Sequence, residues 1–303
     1  MVYTLPLSLP LSSVSSSLHF KIPSLLQFVD HVYQISGSMP LRYHEGSERW
    51  RGVEIERDAD AFCVAQSVRC RPFEGSEYRN HLGRYLIRET CKNKPPPFEC
   101  SVSVVGVGGS SLKLSSVVRT AEGRTEGRTE GVRVLATVER TFVRVGGDGR
   151  PLNFTEDQRS VLSRLEREHY DQKVVPSPHS PLPFSLPSPS PPTATVVGRS
   201  LLNFAGHVDH AALAGVALDA LDAEMGTTEP TAFDVRYVSQ AALRDVLSTA
   251  VSEILPESGS LEEGSREEGE ARGWEIRKGE GGEVVARGTA GGFVEPAFEV
   301  EKL

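Results

Sequence analysis

The side chains with chemical potential gather in one short stretch, Asn203-Phe204-Ala205-Gly206-His207-Val208-Asp209-His210. A half-basic imidazole, an amide and a carboxylate within eight residues could orient a carbonyl or a water. The stretch opens an apolar run through Leu213, Val216, Ala217, Leu218 and Leu221 at helical spacing, so a helix is expected from Gly206 to Met225. A helix start carries a partial positive charge and free N–H groups, which suits a developing oxyanion. Gly206 would admit close backbone approach, and Val208 and Asp209 would line the bound group. Asn203 has two readings. It orients water or a carbonyl, or it is a turn or cap residue, which asparagine also suits. His207 could bond a carbonyl, or close the loop structurally.

Acids are sparse near this stretch. Asp219 lies along the helix and could act as a base toward water. It shares a face with Asp222, three residues on, and the two could equally mark a solvated surface. Ser110 and Ser111 are not in a Gly-x-Ser-x-Gly elbow, so they read as strand residues. His44-Glu45 lacks a second histidine for zinc, and Gly106-Val107-Gly108-Gly109 precedes no helix. These patterns point to no metal and no cofactor.

Three low-complexity segments divide the 303 residues. The Pro/Ser run at 174–195 reads as an extended linker, because proline removes donors and fixes φ. The tandem Gly-Arg-Thr-Glu copies within 122–131 read as a lengthened hairpin loop, and the Glu/Gly/Ser stretch at 256–272 as an acidic one. All three are expected to be disordered. Residues 1–28, rich in Ser, Leu and Pro, read as a disordered leader. The organisation expected is leader, a divergent first domain at 29–173, the linker, and a second domain at 196–303. The halves share one order. A helix at 41–51 and a strand at Arg84–Thr90 match the helix at 206–225 and the strand at Phe233–Tyr237. Further strands are expected at Ser101–Val107, with Gly108-Gly109 as a bulge or kink before Ser110–Leu114, and in two short runs within Val132–Val145. In the second half they are expected at Val246–Ile254, Gly273–Lys278 and Glu283–Gly288. Thr155 to Gln158 fits a capping box opening a helix to Leu165.

Asn203 through Ala211 resembles the D-x-x-G-H-V-N-N-A signature of hotdog-fold acyl thioesterases. Lys94-Pro95-Pro96-Pro97-Phe98, Gly109-Ser110-Ser111-Leu112, Arg150-Pro151-Leu152 and Leu41-Arg42-Tyr43 with Glu45 resemble further motifs of that family, in the family's order. Asp30-His31-Val32 is the nearest first-half counterpart of Gly-His-Val. The resemblance implies an α+β chain of two tandem hotdog repeats, each an antiparallel sheet wrapped round a central helix, paired as an internal pseudo-dimer. It implies hydrolysis of an acyl thioester of CoA or acyl carrier protein (acyl-CoA or acyl-ACP), with Asn203, His207 and Asp219 as catalytic candidates. Asn203 stands where the family has its catalytic Asp, and an amide is not a base. A catalytically silent hotdog module that binds acyl groups or partners is therefore the alternative. Acyl dehydration or hydration on this fold lacks the expected Asp and His arrangement.

The net charge of −8 argues against nucleic acid as a partner. No apolar run approaches the roughly 20 residues that span a bilayer. Cys63, Cys70, Cys91 and Cys100 form no C-x-x-C pair and read as free thiols of a reducing compartment, cytoplasmic or organellar. Assembly of pseudo-dimers into homo-oligomers is a further expectation.

Overall fold

The computed structural model describes residues 5–7, 20–38, 60–71, 98–120, 124–125, 128–129, 134–170, 193–203, 206–226, 229–254, 271–279 and 281–294. They form two units. The first comprises 1–11, 25–66 and 74–176; the second comprises 12–24, 67–73 and 177–303.

In the first unit, strands β1 (Leu5–Leu7), β3 (Phe98–Val107), β4 (Ser111–Thr120) and β7 (Val134–Val145) pair antiparallel in that order; β2 (Asp60–Cys70) has residues in both units. Gly108 and Gly109, expected as a bulge or kink within a strand, instead turn a hairpin. Gly108 donates to the Ser111 carbonyl at 2.8 Å, and the bulge lies earlier, between Val104 and Gly106. Val134–Val145 is one strand and not two, with Ala136, Val138 and Arg140 buried at alternate positions. Two-residue strands β5 (Arg124–Thr125) and β6 (Arg128–Thr129) pair within the expected loop, so these positions are ordered.

Helix α1 (Ile22–Ser38) corrects the expected leader. Ile22, Leu25, Leu26 and Val29 recur at helical spacing and are all buried. Pro23 sits in the first turn, where a missing N–H is tolerated. The helix stops short of Pro40. The helix expected at 41–51, the strand at Arg84–Thr90, Glu45 and Cys91 lie outside the described residues. Helix α2 (Glu156–Tyr170) packs on β3 and opens on the expected capping box. The Thr155 N–H donates to Gln158 Oε1 at 3.0 Å, and the Gln158 N–H to Thr155 Oγ1 at 3.2 Å.

The second unit contains β8 (Thr193–Val196), a 3-10 turn (Arg199–Leu201), α3 (His210–Met225), β9 (Glu229–Tyr237), β10 (Val246–Glu253), β11 (Arg272–Lys278) and β12 (Val284–Val294). The strand order is β9-β12-β11-β10-β8, antiparallel throughout. Residues 193–195 and Arg272 were expected in disordered segments but belong to β8 and β11. β8 is tied to β10 by main-chain pairing, which composition alone does not reveal. One sheet face is apolar and carries Leu247, Val251, Trp274, Ile276 and Phe233, all buried. Trp274 stacks on Phe233, ring centroids 5.1 Å apart. α3 packs on β10 and β11. Its buried residues Ala211, Leu213, Ala214, Val216, Ala217, Ala220 and Leu221 cover more than half its circumference, as a helix enclosed by a sheet requires.

Candidate active site

α3 begins at His210, not at Gly206. The four residues between form a loop with its own hydrogen bonds. Asn203 and His207 close it. The Asn203 N–H donates to the His207 carbonyl at 2.8 Å, and the His207 N–H to Asn203 Oδ1 at 3.2 Å. Gly206 donates to the Asn203 carbonyl at 3.0 Å and has φ +80°, the left-handed region that favours glycine. A Cβ there would meet nothing within 4 Å, so the backbone borders open space.

Past the loop the chain enters a sheet-like contact. Val208 pairs with Leu202, and His207 with Ala242. The Val208 N–H donates to Ala241 at 3.0 Å and the Asp209 N–H to Leu201 at 2.8 Å. Asp209 is the helix cap: its Oδ1 accepts from the Ala211 N–H at 2.7 Å. That bond decides where helical dihedrals start.

Two consequences follow for chemistry. First, the N–H groups of Gly206, His207, Val208 and Asp209 are all engaged within the protein. The expectation that they face an oxyanion does not hold in this geometry. Second, Asn203 Oδ1 has the turn-closing role that was one of its two readings. His207 keeps a half-buried imidazole at the loop.

The loop thus gathers Asn203, Gly206, His207, Val208 and Asp209. Val208 is 6% exposed and serves packing. Asp219 is not gathered. It is exposed, beside exposed Asp222. Nine residues beyond His210 is about 13 Å along the helix axis. Helical spacing showed the shared face of these two acids but not which way the face points. His210 lies against the Tyr237 ring, centroids 4.4 Å apart.

The segment between β9 and β10 was missed as part of the site. Its Ala241 and Ala242 hold Val208 and His207, and its Asp245 carboxylate accepts from the Ala242 N–H at 2.9 Å. Ser239 Oγ donates to the Val284 carbonyl at 2.9 Å. The available signal was the break in apolar alternation at Ser239-Gln240.

In the first unit, Asp30 lies within α1 and not in a loop. It pairs with the buried Arg140, whose Nη2 also donates to the Leu26 carbonyl at 3.2 Å. The Asp30-His31-Val32 counterpart of the second-unit loop is therefore an ion-paired helix segment. Cys63, Cys70 and Cys100 are buried free thiols. Burial pushes each up to about 12 from 9.0, against the opposing pull of Arg140 at Cys63 and of Arg69 at Cys70.

Solved structures share this architecture end to end. An acyl-ACP thioesterase from Bacteroides thetaiotaomicron VPI-5482 superimposes with a TM-score of 0.62 over 97% of this chain and 98% of its own, at 14% identity. A 12:0-ACP thioesterase from Umbellularia californica gives 0.63 over 97% and 94%, at 12% identity. The chain has the hotdog fold. Its hotdog repeats stand in tandem, as the order of sequence motifs implied. No family model matches the sequence, and no curated protein does. No helix among the described residues is long and apolar enough to cross a membrane.

Proposed function

We propose that this hotdog protein hydrolyses acyl thioesters carried by acyl carrier protein or CoA. The observation that carries the reading is the Asn203–His207 loop at the entrance to α3, which presents an imidazole and an amide at the start of a sheet-enclosed helix. The end-to-end likeness to two acyl-ACP thioesterases supports it at the level of fold, and fold alone does not fix chemistry. In this reading the thioester carbonyl lies by the open side of Gly206. With the loop N–H groups engaged, His207 is the donor that polarises it, and Asn203 orients the attacking water. Turnover is slow, because neither Asn203 nor the remote Asp219 supplies a base at the carbonyl.

One observation favours a second reading. The Asn203 Oδ1 and the N–H groups of Gly206, His207, Val208 and Asp209 are committed to internal bonds, as in a module that binds acyl groups without cleaving them. Thiol release from short, long and aromatic acyl-CoAs and from acyl-ACPs separates the two. Measurable release that His207→Ala lowers supports hydrolysis. Inertness of both wild type and Asn203→Asp across the whole panel leaves the silent module.

A further inference from the structure

Val196 ends β8 and Val246 begins β10, and the two stand directly opposite each other. They are 67% and 45% exposed, and Leu243 is 40% exposed. A single exposed valine needs no explanation, but adjacent ones do. Main-chain bonds bring these three together. The Arg244 N–H donates to the Val197 carbonyl at 3.0 Å and the Val197 N–H to Asp245 at 2.9 Å. The Asp245 N–H donates to Ala242 at 3.1 Å, which closes a turn with Leu243 and Arg244 at its centre.

Arg244 occupies φ 73°, the one positive-φ residue other than glycine among those described. The third position of such a turn favours glycine. An arginine there is held against its backbone preference, which is a reason to ask what its side chain does. It is exposed, as is Arg199 two residues beyond Val197. Neither forms an ion pair among the described residues. Of the nearby carboxylates, Asp245 accepts from the Ala242 N–H and Asp209 from the Ala211 N–H, and Glu283 is paired with Lys278 at 3.1 Å. The same turn segment holds His207 and Val208 in place, so this surface borders the candidate site.

We infer that Val196, Leu243 and Val246, flanked by Arg199 and Arg244, form a docking surface for an acidic protein partner that sets apolar side chains on the valines and carboxylates against the arginines. A chain of net charge −8 repels such a partner over most of its surface, so a local cationic rim selects where it lands. Under the function proposed above, the partner is the protein part of the acyl carrier. That identity rests on the proposed function; the surface does not.

The test uses the full chain and an apo acyl carrier protein without its acyl-bearing arm, so that docking is read apart from catalysis. Fluorescence anisotropy should show binding that weakens about tenfold between low and physiological salt. Arg199→Glu with Arg244→Glu should weaken it at least tenfold, and Val196→Ser with Val246→Ser several-fold. If the Glu pair misfolds, the Gln pair replaces it. Arg244→Gly is the discriminating variant. It should bind more weakly yet melt about 2 °C higher, because glycine accepts the turn's φ. Absence of binding up to about 1 mM apo carrier overturns the inference. So does binding indifferent to the arginine variants, or a wild-type dimer that Val196→Asp dissolves, which makes the surface a contact between copies. Docking without hydrolysis of any thioester keeps this inference and removes the hydrolase reading. Hydrolysis of acyl-ACP with no apo-carrier binding does the reverse.

Discussion

Replacing Asn203 tests the site most sharply, because two substitutions separate structure from chemistry. Asn203 Oδ1 accepts the His207 N–H at 3.2 Å, and main-chain bonds of 2.8 and 3.0 Å close the same loop. Aspartate keeps the acceptor in the same place and makes the bond charge-assisted, so Asn203→Asp should stay within about 0.5 kcal/mol of wild type. Alanine removes the acceptor and leaves a part-buried N–H unpaired. That costs about 1 kcal/mol, or about 2 °C in melting temperature for a chain of this size. Activity should move in the other sense. The amide has no basicity at neutral pH, whereas a positioned carboxylate acting as general base contributes roughly 10²–10⁴ in rate. Thiol release by Asn203→Asp should therefore rise about a hundredfold or more over wild type, with an acid limb in its pH profile that wild type lacks. Asn203→Ala should gain nothing. The measurement is thiol release with thermal unfolding by circular dichroism on each protein. An Asn203→Asp protein that melts like wild type but works no faster than Asn203→Ala refutes the placement of the carbonyl at this loop.

Gly288→Ala should destabilise the second unit by roughly 3 kcal/mol, with loss of near-UV dichroism. An added Cβ would lie 1.8 Å from the Asp234 carbonyl and 2.6 Å from the Trp274 ring, so β9 and β12 must part. Cys63, Cys70 and Cys100 should resist alkylation at pH 8 in the native protein and react on unfolding, as mass mapping would show. Their folded values of about 12 exceed the unfolded 9.0, so their contribution is complete below pH 9 and is lost as pH rises from 9 towards 12. Denaturant midpoints across that range check the sign. Thr155→Ala should cost about 1 kcal/mol by opening the α2 capping box, and a urea midpoint unchanged from wild type would contradict the geometry.

What could be read from residues alone was what local periodicity governs. β9 and β10 announce themselves because Phe233, Val235, Leu247 and Val251 alternate with residues of the other face. The α2 cap is legible because Thr155 and Gln158 carry its whole signal. α1 was hidden by averaging. Ser and Pro dominate the composition of 1–28, while Ile22, Leu25, Leu26 and Val29 keep a helical period inside it. The start of α3 was misplaced by four residues because the Gly-His-Val resemblance outweighed Asp209, whose position before His-Ala-Ala is a cap signal in its own right. The use of the Val208 N–H was not legible, because it depends on Ala241, over thirty residues away in sequence, and no local pattern reports that partner.

The same bonds bear on catalysis in two directions. The engaged N–H groups of Gly206, His207, Val208 and Asp209 hold Asn203 and His207 in fixed positions, and fixed positions favour catalysis because little reorganisation is needed at the barrier. Engagement also removes those groups as oxyanion donors. Under the proposed function, order at this loop comes without N–H donors for the oxyanion, and the imidazole of His207 is the donor left to polarise the carbonyl. A site of that kind is expected to hold a thioester in a defined pose and to cleave it slowly. One carboxylate at position 203 is the smallest change that would convert order into rate, since the acceptor geometry is already present and only basicity is missing.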